Sequence, residues 1–171
     1  RVKTAAQRLS EHPILKDYIV EIYFRENKKK QEDYNKFRLK AIDPVDEEKK
    51  ARLIGKSTKE GEMFYDILNS DKIYIPNYGH PFLKKNINMH KIPLNHIGLL
   101  LLDTEKEGEL GMELKNFLDE YVRNNILRQI KNAIDYENNY IAATRDSLTG
   151  LYSYQFFENS LAKEAQEEMR N

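Results

Sequence analysis

The chain of 171 residues contains no cysteine. That absence excludes disulfides, thiolate zinc sites, iron–sulfur clusters, a nucleophilic thiol and any thioether-linked pigment. Net charge is missing as well, because 28 lysines and arginines balance 28 aspartates and glutamates. A neutral chain sets up no overall field toward polyanions, so neither nucleic acid nor an anionic membrane surface is an expected partner. Long apolar runs are absent too. The longest, Ile97 to Leu102, has a glycine in it and is far shorter than the roughly 20 residues needed to span a bilayer. No signal-peptide pattern is visible. We therefore expect a cytoplasmic module, and an opening Arg1 in place of methionine leads us to expect a fragment.

What is present favours a folded core: 40% of the residues are hydrophobic and 11% aromatic, which argues against disorder. The length suits one domain of ordinary size with a helical extension. Thr4 to Glu11 reads as a short helix ended by Pro13. From Asp17 to Arg25 the residues alternate, with Tyr18, Val20, Ile22 and Phe24 on one face and Glu21 and Arg25 on the other, which predicts a strand. A polar hairpin connection over 27–33 leads to a second strand, Tyr34 to Ile42. It sets Phe37, Leu39 and Ala41 against Lys36, Arg38 and Lys40. A helical segment carries Met63, Phe64, Ile67 and Leu68, and a short strand is predicted over Lys72 to Pro76. The turn formers of Asn77 to Pro81 read as a loop. In Asn86 to Leu94, Ile87, Met89 and Lys91 alternate with Asn88, His90 and Ile92. Ile97 to Asp103 then has the continuous apolar character of a central strand covered on both faces.

From Met112 to about Arg145 no proline or glycine interrupts a helical pattern. Leu114, Phe117, Leu118, Tyr121 and Val122 make its first half broadly apolar, suited to packing on the sheet. Further on, Leu127, Ile134, Ile141 and Leu148 recur at seven-residue spacing, with Ile130 and Leu151 between them. Such a narrow seam predicts a homodimer through this helix; folding back on its own sheet is the alternative.

After the helix comes Asp146-Ser-Leu-Thr-Gly-Leu151, then an aromatic pair, Phe156 and Phe157, in an acidic helical segment. This stretch resembles the opening of the GGDEF (diguanylate cyclase) domain, with Ser153-Tyr154 where that family has Asn-Arg. The resemblance covers Arg145 to Asn171 only, ahead of the family's glycine-rich signature, so this stretch implies no catalysis of its own. The preceding order of elements is similar to that of a GAF domain. There Gly61 to Asn77 occupies the place of the family's helix–turn–strand element, and Asn88 to Asp103 that of its closing hairpin. The resemblance implies an α+β fold, a GAF-like antiparallel sheet flanked by helices with a long C-terminal signalling helix. It divides the chain into a sensor domain (1–125), a signalling helix (126–145) and the start of a GGDEF domain (146–171). The implied function is a regulatory sensor that binds a small molecule and controls synthesis of cyclic di-GMP from GTP by a pair of catalytic domains. A ligand-free dimerisation and interaction module is the alternative.

Cyclic AMP and cyclic GMP are the candidate effectors, because each would need an aromatic clamp for the base and a cation or backbone donors for the phosphate. Tyr65, Tyr74, Tyr78 and Phe82 crowd the loop region where a clamp could form, with Arg38, His80 and His90 as polar candidates. The plainer account makes the tyrosines half-buried core and the cations a solvated strand face. Haem would need an axial ligand from His80, His90 or His96, each more simply a surface or turn histidine. No two histidines share a short metal-ligand spacing on one element. A cavity plugged by Phe64, Tyr74 or Met89 would favour the interaction module over a ligand sensor.

Overall fold

The computed structural model of the chain describes residues 2–26, 36–144 and 154–170. It divides into two compact units, Arg1–Leu127 and Arg128–Asn171. The expected polar connection over 27–33 and the segment Asp146 to Leu151 lie outside the described residues.

In the first unit, helix α1 (Val2–Ser10) precedes strands β1 (Ile19–Arg25) and β2 (Phe37–Asp43). Helices α2 (Glu47–Leu53) and α3 (Met63–Asn69) form an excursion before β3 (Tyr74–His80), β4 (Lys85–Leu94) and β5 (Gly98–Thr104). The five strands make one antiparallel sheet in the order β2-β1-β5-β4-β3. The apolar run of β5 therefore lies at the centre, as its composition predicts, and all seven of its residues are buried. Helix α2 starts where Asp46 accepts a hydrogen bond from the Lys49 amide at 2.7 Å. Glu47 and Glu48 follow in its first turn and Lys50 and Arg52 close its last, each sign suited to its end of the helix dipole.

One sheet face packs under α2 and α3, with Tyr23, Leu39, Met89 and Leu101 meeting Leu53, Phe64 and Leu68 in a single cluster. The opposite face bears Val20, Ile22, Leu100 and Leu102 and is covered by α1, which packs on β1 and β2. Helix α4 (Met112–Tyr121) joins α1 there, and the Tyr121 hydroxyl donates to the Ala5 carbonyl at 3.2 Å.

Two bulges depart from simple alternation. In β2, Leu39 pairs with Tyr23 but Ala41 pairs with Ile22, so Lys40 is an extra residue. Ala41 is thereby moved off the face of Phe37 and Leu39, where alternation alone puts it. In β3, Ile75 faces Met89 and Tyr78 faces Ile87, so Pro76 and Asn77 together oppose Asn88. Asn77 takes a left-handed φ of 47°, and its amide donates to the Asn88 side chain at 2.8 Å. The strand thus continues to His80, through the stretch that its turn formers mark as a loop.

Lys91 shows how the sheet holds its excursion. Its ammonium donates to the Ile67 and Ser70 carbonyls at 2.8 and 2.6 Å, at the C-terminal end of α3. The Ile67 carbonyl also accepts from the Ser70 amide and hydroxyl, so it is the Ser70 carbonyl that depends on the ammonium. Lys91→Met should lose about 1–3 kcal/mol in urea unfolding, the usual cost of stranding a buried carbonyl. An unchanged midpoint would show that water replaces the ammonium.

The helical stretch from Met112 is built of α4, a π-helical turn over Val122–Ile126 and α5 (Leu127–Thr144). In the π turn the Leu127 amide reaches back to the Val122 carbonyl. The last helix, α6 (Tyr154–Arg170), is short at 17 residues, so a single long C-terminal helix is not what the structure shows.

Candidate functional site

The bulge in β3 turns His80 inward, under α3, onto the face that carries Glu21 of β1 and Asp103 of β5. All three side chains are fully buried. The amides of Phe82 and Leu83 donate to His80 Nδ1 at 3.1 and 3.3 Å, so that nitrogen holds a lone pair and the neutral ring carries its proton on Nε2. Nε2–H then donates to Glu21 Oε2 at 2.9 Å and lies 3.7 Å from Asp103 Oδ2. The Tyr23 hydroxyl donates to Glu21 Oε1 at 3.2 Å.

Asp103 completes the group in a different way. No N–H or hydroxyl among the described residues donates to either of its oxygens, and the Glu21 carboxyl lies beside it, with ligand atoms of Glu21, His80 and Asp103 within 4.8 Å of one another. Two carboxyl groups can hydrogen-bond only through a proton held between them. Burial raises the pKa of Asp103 well above the carboxylate range, and the charge of Glu21 raises it further. Glu21 is raised less: burial pushes it up, while hydrogen bonds from Asp103 and Tyr23 pull it down. Asp103 is therefore the acid of the pair and Glu21 the anion, with donors from three side chains. Burial holds the pKa of His80 below its ordinary value. Aromatic rings enclose the imidazole, with Phe64 at 5.1 Å, Phe82 at 5.9 Å and Tyr78 at 6.5 Å between ring centres.

Glu21, His80 and Asp103 offer ligand atoms within 4.8 Å of one another, close enough for one metal ion. The imidazole argues against it. A metal-bound histidine donates with its other ring nitrogen, whereas here that nitrogen is an acceptor and Nε2 has no free lone pair. The donor set suits a proton rather than a metal.

The residues that the sequence nominates are not brought to one place. Tyr78, His80 and Phe82 gather around Phe64 on the α3 side. Tyr74 pairs with His90 across β3 and β4, its ring stacked on the imidazole at 4.9 Å, on the opposite face of the sheet. They border a cavity of about 190 Å3 that Lys115 and Leu118 of α4 help to line. Arg38 sits on the far edge strand, β2, in an ion pair with Glu26 at 2.6 Å. Tyr65 is half-buried on α3. Along α5, Leu127 is half-buried, Ile130 is buried and Ile141 is exposed, while the Ile134 side chain and Leu148 lie outside the described residues. Sequence reasoning missed Glu21 and Asp103. Their signals were a carboxylate among the apolar residues of β1 and another closing the run Leu99 to Leu102.

No helix among the described residues is long and apolar enough to cross a membrane. No protein-family model matches the chain, and neither a curated protein nor a solved structure matches it.

Proposed function

We propose that the chain is a regulatory module of the GAF type, acting on a diguanylate cyclase output domain that opens at Asp146. The output half of this reading rests on the resemblance of Asp146-Ser-Leu-Thr-Gly-Leu151 to the start of that domain. One observation carries the mode of action. Beneath α3, Phe64, Met89, Tyr78 and Leu68 fill the space where a clamped nucleotide would lie, all four buried in the main core. This packing favours the ligand-free interaction module over a cyclic-nucleotide sensor. The cavity beside Tyr74 and His90, at about 190 Å3, is smaller than the roughly 300–1,000 Å3 of ordinary ligand pockets.

A module without a nucleotide effector has to act through chain geometry and a partner. The partner we propose is a second copy, docked along α5, where Tyr136 and Ile141 are 68% and 46% exposed. Three tests follow from this. Calorimetric titration with cyclic AMP or cyclic GMP should give no heat of binding. The chain should sediment as a dimer, and replacing Ile134 and Ile141 together by aspartate should return it to a monomer. Joined in frame to an active GGDEF catalytic domain, the same double substitution should sharply lower cyclic di-GMP formation from GTP. A saturable heat, a monomeric parent chain or an undiminished rate would overturn the reading.

A further inference from the structure

We infer that Glu21, His80 and Asp103 form a proton-binding site, and that the proton shared between the two carboxyl groups is the input this module senses. The sensing role rests on the regulatory reading above; the proton site itself does not.

The geometry leads there by elimination. Glu21 accepts from the Tyr23 hydroxyl at 3.2 Å and from His80 Nε2–H at 2.9 Å. Asp103 has no donor from any N–H or hydroxyl among the described residues, although its side chain is fully buried. Among the described residues, what can satisfy it is its own proton, held toward the Glu21 carboxyl, whose ligand atoms lie with its own and those of His80 within 4.8 Å of one another. Losing that proton would set two carboxylates side by side in a dry interior, which neighbouring groups would have to neutralise.

The groups able to respond face the pair from every side. On β1 is Tyr23, and on β3 are Tyr78 and His80, whose Nδ1 already accepts from two amides. Lys85 of β4 acts on Asp103 from the cleft side, while Lys49 of α2 opposes a positive His80, and Glu62 at the start of α3 acts on Tyr78. Asp103 borders an open polar cleft of about 390 Å3, shared with Asp17, Lys85, Glu105 and Lys106.

The segment that follows this strand end, ahead of α4, is pinned to the sheet. Beyond Asp103, Thr104 Oγ1 accepts from the Lys106 amide at 3.1 Å. The Asn88 side chain donates to the Glu105 and Lys106 carbonyls at 3.3 and 2.8 Å, and the Gly108 amide donates to the Tyr74 hydroxyl at 2.9 Å. The segment between β5 and α4 is therefore fastened to β4 and β3. A shift of Asp103 on deprotonation would reach α4 through it.

The direction of the pH effect follows. Both carboxyl groups are raised in the folded chain. The stability they contribute is therefore complete below the unfolded carboxyl range, about pH 4, and is lost as pH rises through the folded values. His80 is lowered, so its contribution is present above about pH 6.5 and is lost as pH falls toward its folded value.

The test combines infrared spectroscopy with unfolding. At neutral pH the wild-type chain should show a buried carboxylic-acid carbonyl band that Asp103→Asn lacks. Asparagine can still donate to Glu21 but cannot release a proton. Wild-type stability, measured against that variant in urea, should fall as pH is raised from about 4. Nitrogen NMR should find His80 protonated at Nε2 alone. If Asp103→Asn does not fold, titration of the wild-type band and of the Glu21→Gln variant decides the matter. No acid band at neutral pH, or a His80 proton on Nδ1, overturns the proton site. If the band is present but a chain joined to an active catalytic domain makes cyclic di-GMP with the same pH profile as its Asp103→Asn counterpart, the sensing role fails and the proton site stands.

Discussion

Gly98→Ala should lose about 3 kcal/mol or more, the upper end of the cost of forcing atoms into a packed interior. Gly98 opens β5, paired with Phe24 on one side and Leu94 on the other. A methyl group there would lie 1.9 Å from the Tyr23 carbonyl oxygen, 3.0 Å from its carbon and 3.1 Å from Phe24 Cα. All three are backbone atoms, so no side chain can swing away to relieve the clash. The strands β1 and β5 would have to part where they carry Tyr23 and Leu99 toward the main core. Against typical stabilities of about 5–15 kcal/mol, such a loss would leave a protein at the lower end of that range only marginally folded. Urea unfolding followed by circular dichroism measures it. A midpoint close to wild type would mean that the two strands lie further apart than described here.

Glu21→Leu should cost about 3–5 kcal/mol, the range for breaking a buried charged network from one side. Leucine fills nearly the same space, so the loss comes from polarity rather than from a cavity. The Tyr23 hydroxyl, the Nε2–H of His80 and the Asp103 proton would all lose their acceptor. Each stranded donor carries a desolvation penalty of about 1–3 kcal/mol. Glu21→Gln keeps one carbonyl oxygen and should lose less. Denaturant midpoints for the two variants, measured together at neutral pH, separate these outcomes. If leucine were tolerated as well as glutamine, the network would have no energetic role and the proton would have no reason to stay.

The strands and their burial were largely legible, since apolar alternation and the Leu99–Leu102 run are direct consequences of period-two geometry and double coverage. The α3 segment was legible from Phe64, Ile67 and Leu68 at helical spacing. The cluster was not, for two physical reasons. Glu21 occupies a strand position whose alternation marks it as solvent-facing, but α2 and α3 close over that face as well, so both sides of β1 are core. His80 lies beyond a bulge, and an extra residue at Pro76–Asn77 reverses which side of the sheet every later side chain meets. That reversal also separates Tyr74 and His90 from Tyr78 and His80, two pairs that linear spacing groups into one clamp. Composition carries no trace of either effect.

The β3 bulge has one more consequence, for how this fold tolerates changes in length. Removing a single residue between Ile75 and Tyr78 would leave one residue opposite Asn88 and a regular ladder, so Tyr78 and His80 would keep their partners and their side of the sheet. Removing Gly79 instead would carry the imidazole to the side facing α4, and its place beside Glu21 would pass to Pro81, which has no polar side chain to offer. A related chain that preserves Glu21, His80 and Asp103 and lacks the extra residue at 76–77 should therefore be read as keeping the arrangement, and one shortened between Tyr78 and His80 as having lost it.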